Sequence, residues 1–271
     1  MGSRQATAYA PSAAAMEQMR LTAQALEFEP QSRWLLDTIG VRPGWHAADI
    51  GCGAIGILDL LSERIGAHGA VIGVEREPRL VAMARAEMAL RGLRNVAVVQ
   101  GDALTSGLEP GTFDLVHERL VMAEIAEPQA LVDEMASLLR PGGIIVLEDV
   151  DDLSYICAPM HPSWTVLLDA AHIVLAAEGA DLFAGRTLPG YLRAAGVQDV
   201  QVKIHARAAA PGEHRRTQLL SLLDTLEDRV VGAGLLTTAA LRRHRAALAA
   251  HLQAPETLLI DKLFVQAWGR V

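Results

Sequence analysis

Asp49-Ile50-Gly51-Cys52-Gly53-Ala54-Ile55-Gly56 follows a short apolar strand, His46 to Ile50, and runs into an apolar-periodic stretch that reads as a helix starting near Ala54. Glycines at 51 and 53 remove Cβ atoms where the backbone must turn sharply and approach a ligand. A helix N-terminus at this point aims free N–H groups and the positive end of its dipole at whatever is bound. The next apolar run, Ala70 to Glu75, ends on an acid whose two oxygens suit the paired hydroxyls of a ribose. A third run, Asn95 to Gln100, closes on Gly101-Asp102-Ala103, where a carboxylate can accept from an adenine amino group. Asp49, Glu75 and Asp102 thus end three neighbouring strands and outline a nucleoside site with no basic clamp for a pyrophosphate.

Outward from this stretch the same rhythm continues. Strand-like runs at Thr112 to His117 and Gly143 to Asp149, the latter after the turn Arg140-Pro141-Gly142-Gly143, alternate with helical stretches. Such alternation predicts a parallel sheet with helices on both faces, and Ile144-Ile145-Val146-Leu147 fits burial on both sides. Before the first strand, apolar residues at helical spacing (Met19, Leu21, Leu26, then Trp34, Leu35, Ile39) are interrupted by Pro30 and read as two short helices. The first dozen residues, small and polar around Tyr9, read as flexible. After Asp149 a loop leads to a helix with Trp164, Leu167, Leu168, Ala171, Val174 and Leu175 on one stripe. A short helix at Leu188 to Ala195 and a strand at Val200 to Ala206 follow, and the last strand runs from Thr257 to Trp268. About forty helix-prone residues separate these two strands, too many for a bare hairpin, and Leu219, Leu222, Leu223 and Leu226 give them an apolar face. Residues 1–44 are therefore expected to form an N-terminal helical lid, and residues 45–271 one domain with cap insertions at about 151–185 and 211–253.

The chain has 271 residues, 51% of them hydrophobic, which is ample for a sizeable core. Its formal net charge of -8 argues against a nucleic-acid partner, and Arg215-Arg216 and Arg242-Arg243 are only small basic patches. Two cysteines, Cys52 and Cys157, cannot build a disulfide framework and lack zinc-ligand spacing, so a reducing cytoplasm is the expected setting. No run of about 18 apolar residues predicts a membrane span.

With Asp49 to Gly53 as first motif, Glu75, Asp102, Phe113-Asp114-Leu115-Val116 and Leu139-Arg140-Pro141-Gly142-Gly143 in place, the chain resembles the class I S-adenosylmethionine-dependent methyltransferases. It is most similar to their bacterial small-molecule branch of ubiquinone/menaquinone and natural-product enzymes. The resemblance implies a doubly wound α/β fold: a seven-stranded, mostly parallel, Rossmann-like sheet with an antiparallel last strand, N-terminal helices and a helical cap before that strand. It implies S-adenosylmethionine as cofactor and a small, aromatic, natural-product-like acceptor methylated on C, O or N. It departs at Ile55, where the family usually has glycine; here the glycine is Gly56, so the loop is expected to bend differently.

By this resemblance Gly51 and Gly53 line the methionine moiety, Glu75 holds the ribose, and Asp102 with the Ala103 amide reads the adenine. Arg76 either lies over the adenine or is a solvated charge, and Asp49 either holds the ammonium or bonds loop amides. Glu118 contacts the cofactor's amino-acid end. His117 and His161 are candidate bases because imidazole titrates near neutral pH; His117 alternatively packs under the sheet edge against a carbonyl. Glu118 joins them as a catalytic candidate. Arg119, Asp151 and Trp164 are candidate acceptor contacts, although Trp164 also fits a core stripe, and the acidic run Glu148 to Asp152 also fits a solvated loop start. His205 and His214 are weaker candidates, and no metal is expected. Gly51, Gly53, Gly56 and Glu75 also satisfy the fingerprint of a nicotinamide-dependent oxidoreductase, the first rival; a non-catalytic protein that keeps the pocket is the second. Apolar helices at both ends can support a homodimer.

Overall fold

The computed structural model describes residues 13–271, and the expectation for the segment around Tyr9 and the side chains of Met19 and Leu21 lies outside the described residues. The chain packs as two compact units, one ending at Leu115 and one beginning at Val116. In order, the elements are α1 (Ala13–Ile39), β1 (His46–Ile50), α2 (Leu58–Ile65), β2 (Ala70–Glu75), α3 (Pro78–Leu90), β3 (Val96–Gln100), β4 (Phe113–Arg119), α4 (Pro128–Leu138), β5 (Leu139–Asp151) and β6 (Ile156–Ala158). Then come α5 (Pro162–Ala177), α6 (Leu188–Ala194), β7 (Gln198–His205), β8 (Ala208–Ala209), α7 (Gln218–Gly232), α8 (Thr238–Gln253), β9 (Leu258–Ile260) and β10 (Leu263–Arg270). Seven strands form one sheet in the order β3-β2-β1-β4-β5-β10-β7. β2 pairs parallel with both β1 and β3, while β10 runs antiparallel to both β5 and β7. The doubly wound, mostly parallel sheet with a reversed last strand is the observed architecture.

Pro30 does not divide the N-terminal segment. α1 is one helix with Pro30 inside it, which corrects the expected pair of helices. The carbonyl that loses its intrahelical donor to the pyrrolidine ring belongs to Leu26, which is 62% exposed, so water can serve it. The turns on either side are fixed by burial, of Phe28 before Pro30 and of Leu35, Leu36 and Ile39 after it, and by Arg64, which grips Asp37 through Nε at 3.0 Å and Nη2 at 2.8 Å.

In the second unit the sequence rhythm misses a small sheet. β6, β9 and β8 pair antiparallel in that order, so the loop expected before Ser163 contains a strand, and the expected last strand is two, parted at Asp261-Lys262. Cys157, Ala209 and Leu259 lie opposite one another and are buried. They join a core of their own with Trp164 and Leu167 of α5, Leu219, Leu223 and Leu226 of α7, and Leu241, Leu248 and Leu252 of α8. α7 and α8 close on this apolar core, α7 through the face the sequence displayed.

Candidate functional site

In the first unit, the parallel register brings the carboxyl ends of β1, β2 and β3 to one edge, Ile50 beside Val74 and Glu75 beside Gln100. The loop after β1 folds onto β2: the N–H groups of Gly51 and Cys52 both donate to the Val74 carbonyl, at 2.8 and 3.0 Å. Glu75 accepts from the Gly53 N–H at 3.0 Å and, through its other oxygen, from the Glu77 N–H at 2.8 Å. Each oxygen keeps a further lone-pair direction for a ligand hydroxyl. A Cβ on Gly53 would meet nothing within 4 Å, which leaves open space over the loop.

The helix does not start near Ala54 as expected; α2 begins at Leu58. Gly53 and Gly56 both have left-handed φ, 58° and 53°, which a right-handed helix cannot contain, so it starts only beyond them. Gly56 is also needed for space, because a Cβ there would overlap the Asp49 carboxylate and the Cys52 carbonyl. Asp49 is 2% exposed and accepts from the Ile57 N–H at 3.4 Å, which places it beneath the loop. Burial, with Asp49 and Glu75 nearby, pushes the Cys52 thiol up, so it stays protonated and unreactive. Asp102 is exposed and closes an Asx turn on the Leu104 N–H at 2.9 Å, with Ala103 inside that turn; Arg76 is exposed at the end of β2.

In the second unit, β4 ends as read, on His117-Glu118-Arg119, but the first two side chains point inward. His117 is 1% exposed, with Nε2 3.3 Å from Glu148. Gln266 donates to the same carboxylate at 2.6 Å and contacts His205 Nε2 at 2.8 Å, so a polar chain crosses β4, β5, β10 and β7. Burial alone would raise Glu148; the bond and charge of His117, with Arg119 and Gln266, hold it below the ordinary glutamate range. Glu118 accepts from the N–H groups of Val121 and Glu148, each at 3.1 Å, and is pushed well up by burial and then by the charge of Asp149.

The acidic run that closes β5 is not solvated, which corrects that alternative. Glu148, Asp149, Asp151 and Asp152 are all buried because each carboxylate has partners. Asp149 accepts from the Ala123 N–H at 2.9 Å, and Asp151 takes both Nε and Nη2 of Arg186, at 2.6 and 2.7 Å. Burial works to raise Asp151, but the Arg186 guanidinium outweighs it and leaves the carboxyl low. Asp152 meets His172 at 2.8 Å and Lys262 at 3.0 Å. His161 caps α5, its Nδ1 accepting from the Ser163 N–H at 3.1 Å, and stacks at 4.9 Å on His251. Trp164 is core, 2% exposed and edge-to-face with Tyr155 at 4.8 Å. Sequence reading missed His172, although an imidazole inside Ala170-Ala171-His172-Ile173-Val174 is a legible anomaly on an apolar helix.

Comparison with known proteins finds methyltransferases. A family described as a methyltransferase domain matches residues 42–176. The chain is 38% identical over 120 residues to nocamycin O-methyltransferase of Saccharothrix syringae, covering 44% of this chain and 43% of that one. It is 33% identical over 118 residues to an aklanonic acid methyltransferase of a Streptomyces strain, covering 44% and 54%. These alignments span about half the length of the curated relatives. The fold is also that of phosphoethanolamine N-methyltransferase 2 of Haemonchus contortus, solved with phosphomonomethylethanolamine and S-adenosylhomocysteine. The TM-score is 0.56 and the identity 18%, over 89% of this chain and 52% of that one.

Proposed function

The chain belongs to the methyltransferase-domain family through residues 42–176, and on that premise we propose that it transfers a methyl group from S-adenosylmethionine to a small, aromatic, natural-product-like acceptor. The observation that carries this reading is Glu75, at the end of β2, tied to the glycine loop through the Gly53 N–H beneath open space. The residues present fit the cofactor: a loop bare of Cβ atoms, a half-exposed carboxylate for vicinal hydroxyls, and an exposed Asp102 turn at the end of the adjoining strand.

When bound, S-adenosylmethionine supplies an electrophilic methyl on a sulfonium. Gly51 and Gly53 let the main chain approach it, Glu75 takes the ribose hydroxyls, and Asp102 with the Ala103 amide takes the adenine. Glu118 keeps a backbone-holding part, consistent with its two N–H partners. Holding donor and acceptor in line can contribute about 7 to 11 kcal/mol, so most of the rate needs no acid or base. The segment 1–44, described from Ala13 onward, is read as a lid on the cofactor that excludes water.

Calorimetry with S-adenosylhomocysteine tests the reading, followed by a labelled-methyl screen over phenols, indoles and amines. Wild-type protein should bind and turn over, and Glu75→Ala should lose at least tenfold in affinity. Nicotinamide dinucleotide binding with no heat from S-adenosylhomocysteine would overturn it.

A further inference from the structure

We propose that the outer edge of β7 is an interaction surface whose partner is a second copy of this chain, the two β7 strands pairing antiparallel about a two-fold axis at Val202. The sheet of one copy then continues into that of the other. This goes beyond the methyltransferase reading and stands or falls without it.

β7 is the end strand of the seven-stranded sheet and pairs only with β10 among the described residues. An end strand turns half of its main-chain N–H and C=O groups away from the sheet, a ready template for another strand. Two of its β-branched apolar residues are also left to solvent, Val202 at 43% and Ile204 at 52% exposed. Alternation along the strand puts Val200, Val202 and Ile204 on one face. That face borders an open groove, which Val202 lines together with Tyr191, Arg193 and Ala194 of α6 and Gln129 of α4.

The sequence of β7 favours one register for two copies. A slip by one residue sets the apolar face of one strand against the polar face of the other, so the axis must fall on a residue. An axis at Lys203 brings two ammonium groups directly opposite each other. An axis at Gln201 draws in an irregular stretch: Trp268 of β10 faces Gln201 but Arg270 faces Gln198, and between them Asp199 has a left-handed φ of 52°. With the axis at Val202 this bulge lies at the margin of the paired stretch. Val202 then meets Val202 of the second copy and Val200 meets Ile204 on either side, an unbroken apolar ladder. On the other face Lys203 stands opposite Gln201 of the second copy, whose amide oxygen can accept from an ammonium. Asp199 of each copy falls diagonal to Lys203 of the other, so opposite charges face across the axis at both ends. A lysine and a bulge restrict pairing at an edge, and here they select the register. The ladder alone buries less than the roughly 800 Å² that each partner of a standard interface covers, so the exposed Arg193 and Ala194 beside the groove join it.

Sedimentation of the full chain over a range of concentrations should show a monomer–dimer equilibrium. Val202→Lys sets two ammonium groups at the axis and should leave a monomer at concentrations where wild type is dimeric. Val202→Thr keeps the branched shape and should keep the dimer. Thermal melting and circular dichroism of each variant report whether it folds, and should Val202→Lys not fold, cross-linking decides. Directly opposed Cβ atoms in such a ladder lie about 5 Å apart, whereas Ile204 and its own counterpart are offset by roughly 14 Å along the strands. A short bismaleimide should therefore link Val202→Cys chains into dimers and leave Ile204→Cys chains single, the native Cys52 and Cys157 being buried. A wild type that stays monomeric overturns the proposal. So does a dimer that survives Val202→Lys, such as one built on the terminal helices, or one that links through Ile204→Cys as readily as through Val202→Cys.

Discussion

A carboxyl group removed from water keeps its charge only when its hydrogen bonds repay the lost hydration, and Asp149 is where they fall short. Burial raises it, the N–H groups of Val150 and Ala123 pull it down, Glu124 and Asp181 raise it again, and it ends pushed up to about 7. A carboxyl raised in the folded state adds stability that is full below its ordinary value of 3.8 and is lost as pH rises through about 7. Glu118, raised chiefly by burial, acts in the same direction, and Glu148, held low, acts in the opposite one. Asp149→Asn keeps an oxygen for the Ala123 N–H and removes the titration. Between 3.8 and about 7 the wild-type Tm should therefore fall relative to that of the Asn variant, and a gap independent of pH would refute the assignment. Residue identity was legible where chemistry is local: Glu75 and Asp102 stand at the strand ends their spacing implied. It was illegible where roles depend on what lies across the sheet. His117 meets Glu148 from a neighbouring strand and His172 meets Asp152, pairs about twenty to thirty positions apart that no spacing rule connects.

Elements long enough to repeat their period were readable, and the shortest were not. β1 and β2 begin and end where the apolar runs do, and α5 buries Trp164, Leu167, Ala171 and Val174 from the stripe read for it. β6, β8 and β9 are two or three residues each, too short for alternation to show, and they exist because pairing buries Cys157, Ala209 and Leu259 over helices far away in sequence. What ties these pieces is Arg216. Its guanidinium, 4% exposed, donates to the carbonyls of Leu252, Ala209 at 3.0 Å, Ala254 at 3.0 Å and Thr257 at 2.5 Å. It thereby joins the end of α8, β8 and the approach to β9. A buried carbonyl left without a donor costs about 1 to 3 kcal/mol, so Arg216→Met should lower unfolding stability by about 3 kcal/mol or more. Arg216→Lys should recover only part, since an ammonium cannot fork to four acceptors. Urea unfolding at unchanged m-value measures it, and a loss under about 1 kcal/mol would mean these carbonyls find other donors.

Over the whole molecule the charge is -8, and the structure decides whether any local surface reverses that sign. Of the two arginine pairs that the sequence offered as basic patches, one is not a patch. Arg215 is paired with Asp261 and largely covered, and Arg216 is spent inside on main-chain carbonyls. Further arginines are neutralised in place: Arg186 by Asp151, Arg229 by Glu178, Arg64 by Asp37, Arg91 by Glu87 and Asp59. Arg242 and Arg243 stay exposed on α8, two cations where phosphate-backbone binding draws on several. Among the described residues no helix is long and apolar enough to cross a membrane. A polyanion that comes within the Debye length of about 8 Å of such a surface is repelled, whereas a small uncharged phenol is not. Transfer RNA and duplex DNA should accordingly show no retention in a gel-shift assay at physiological salt, with or without S-adenosylhomocysteine. Retention that weakens steeply as salt rises would place the acceptor among nucleic acids and displace the small-molecule reading.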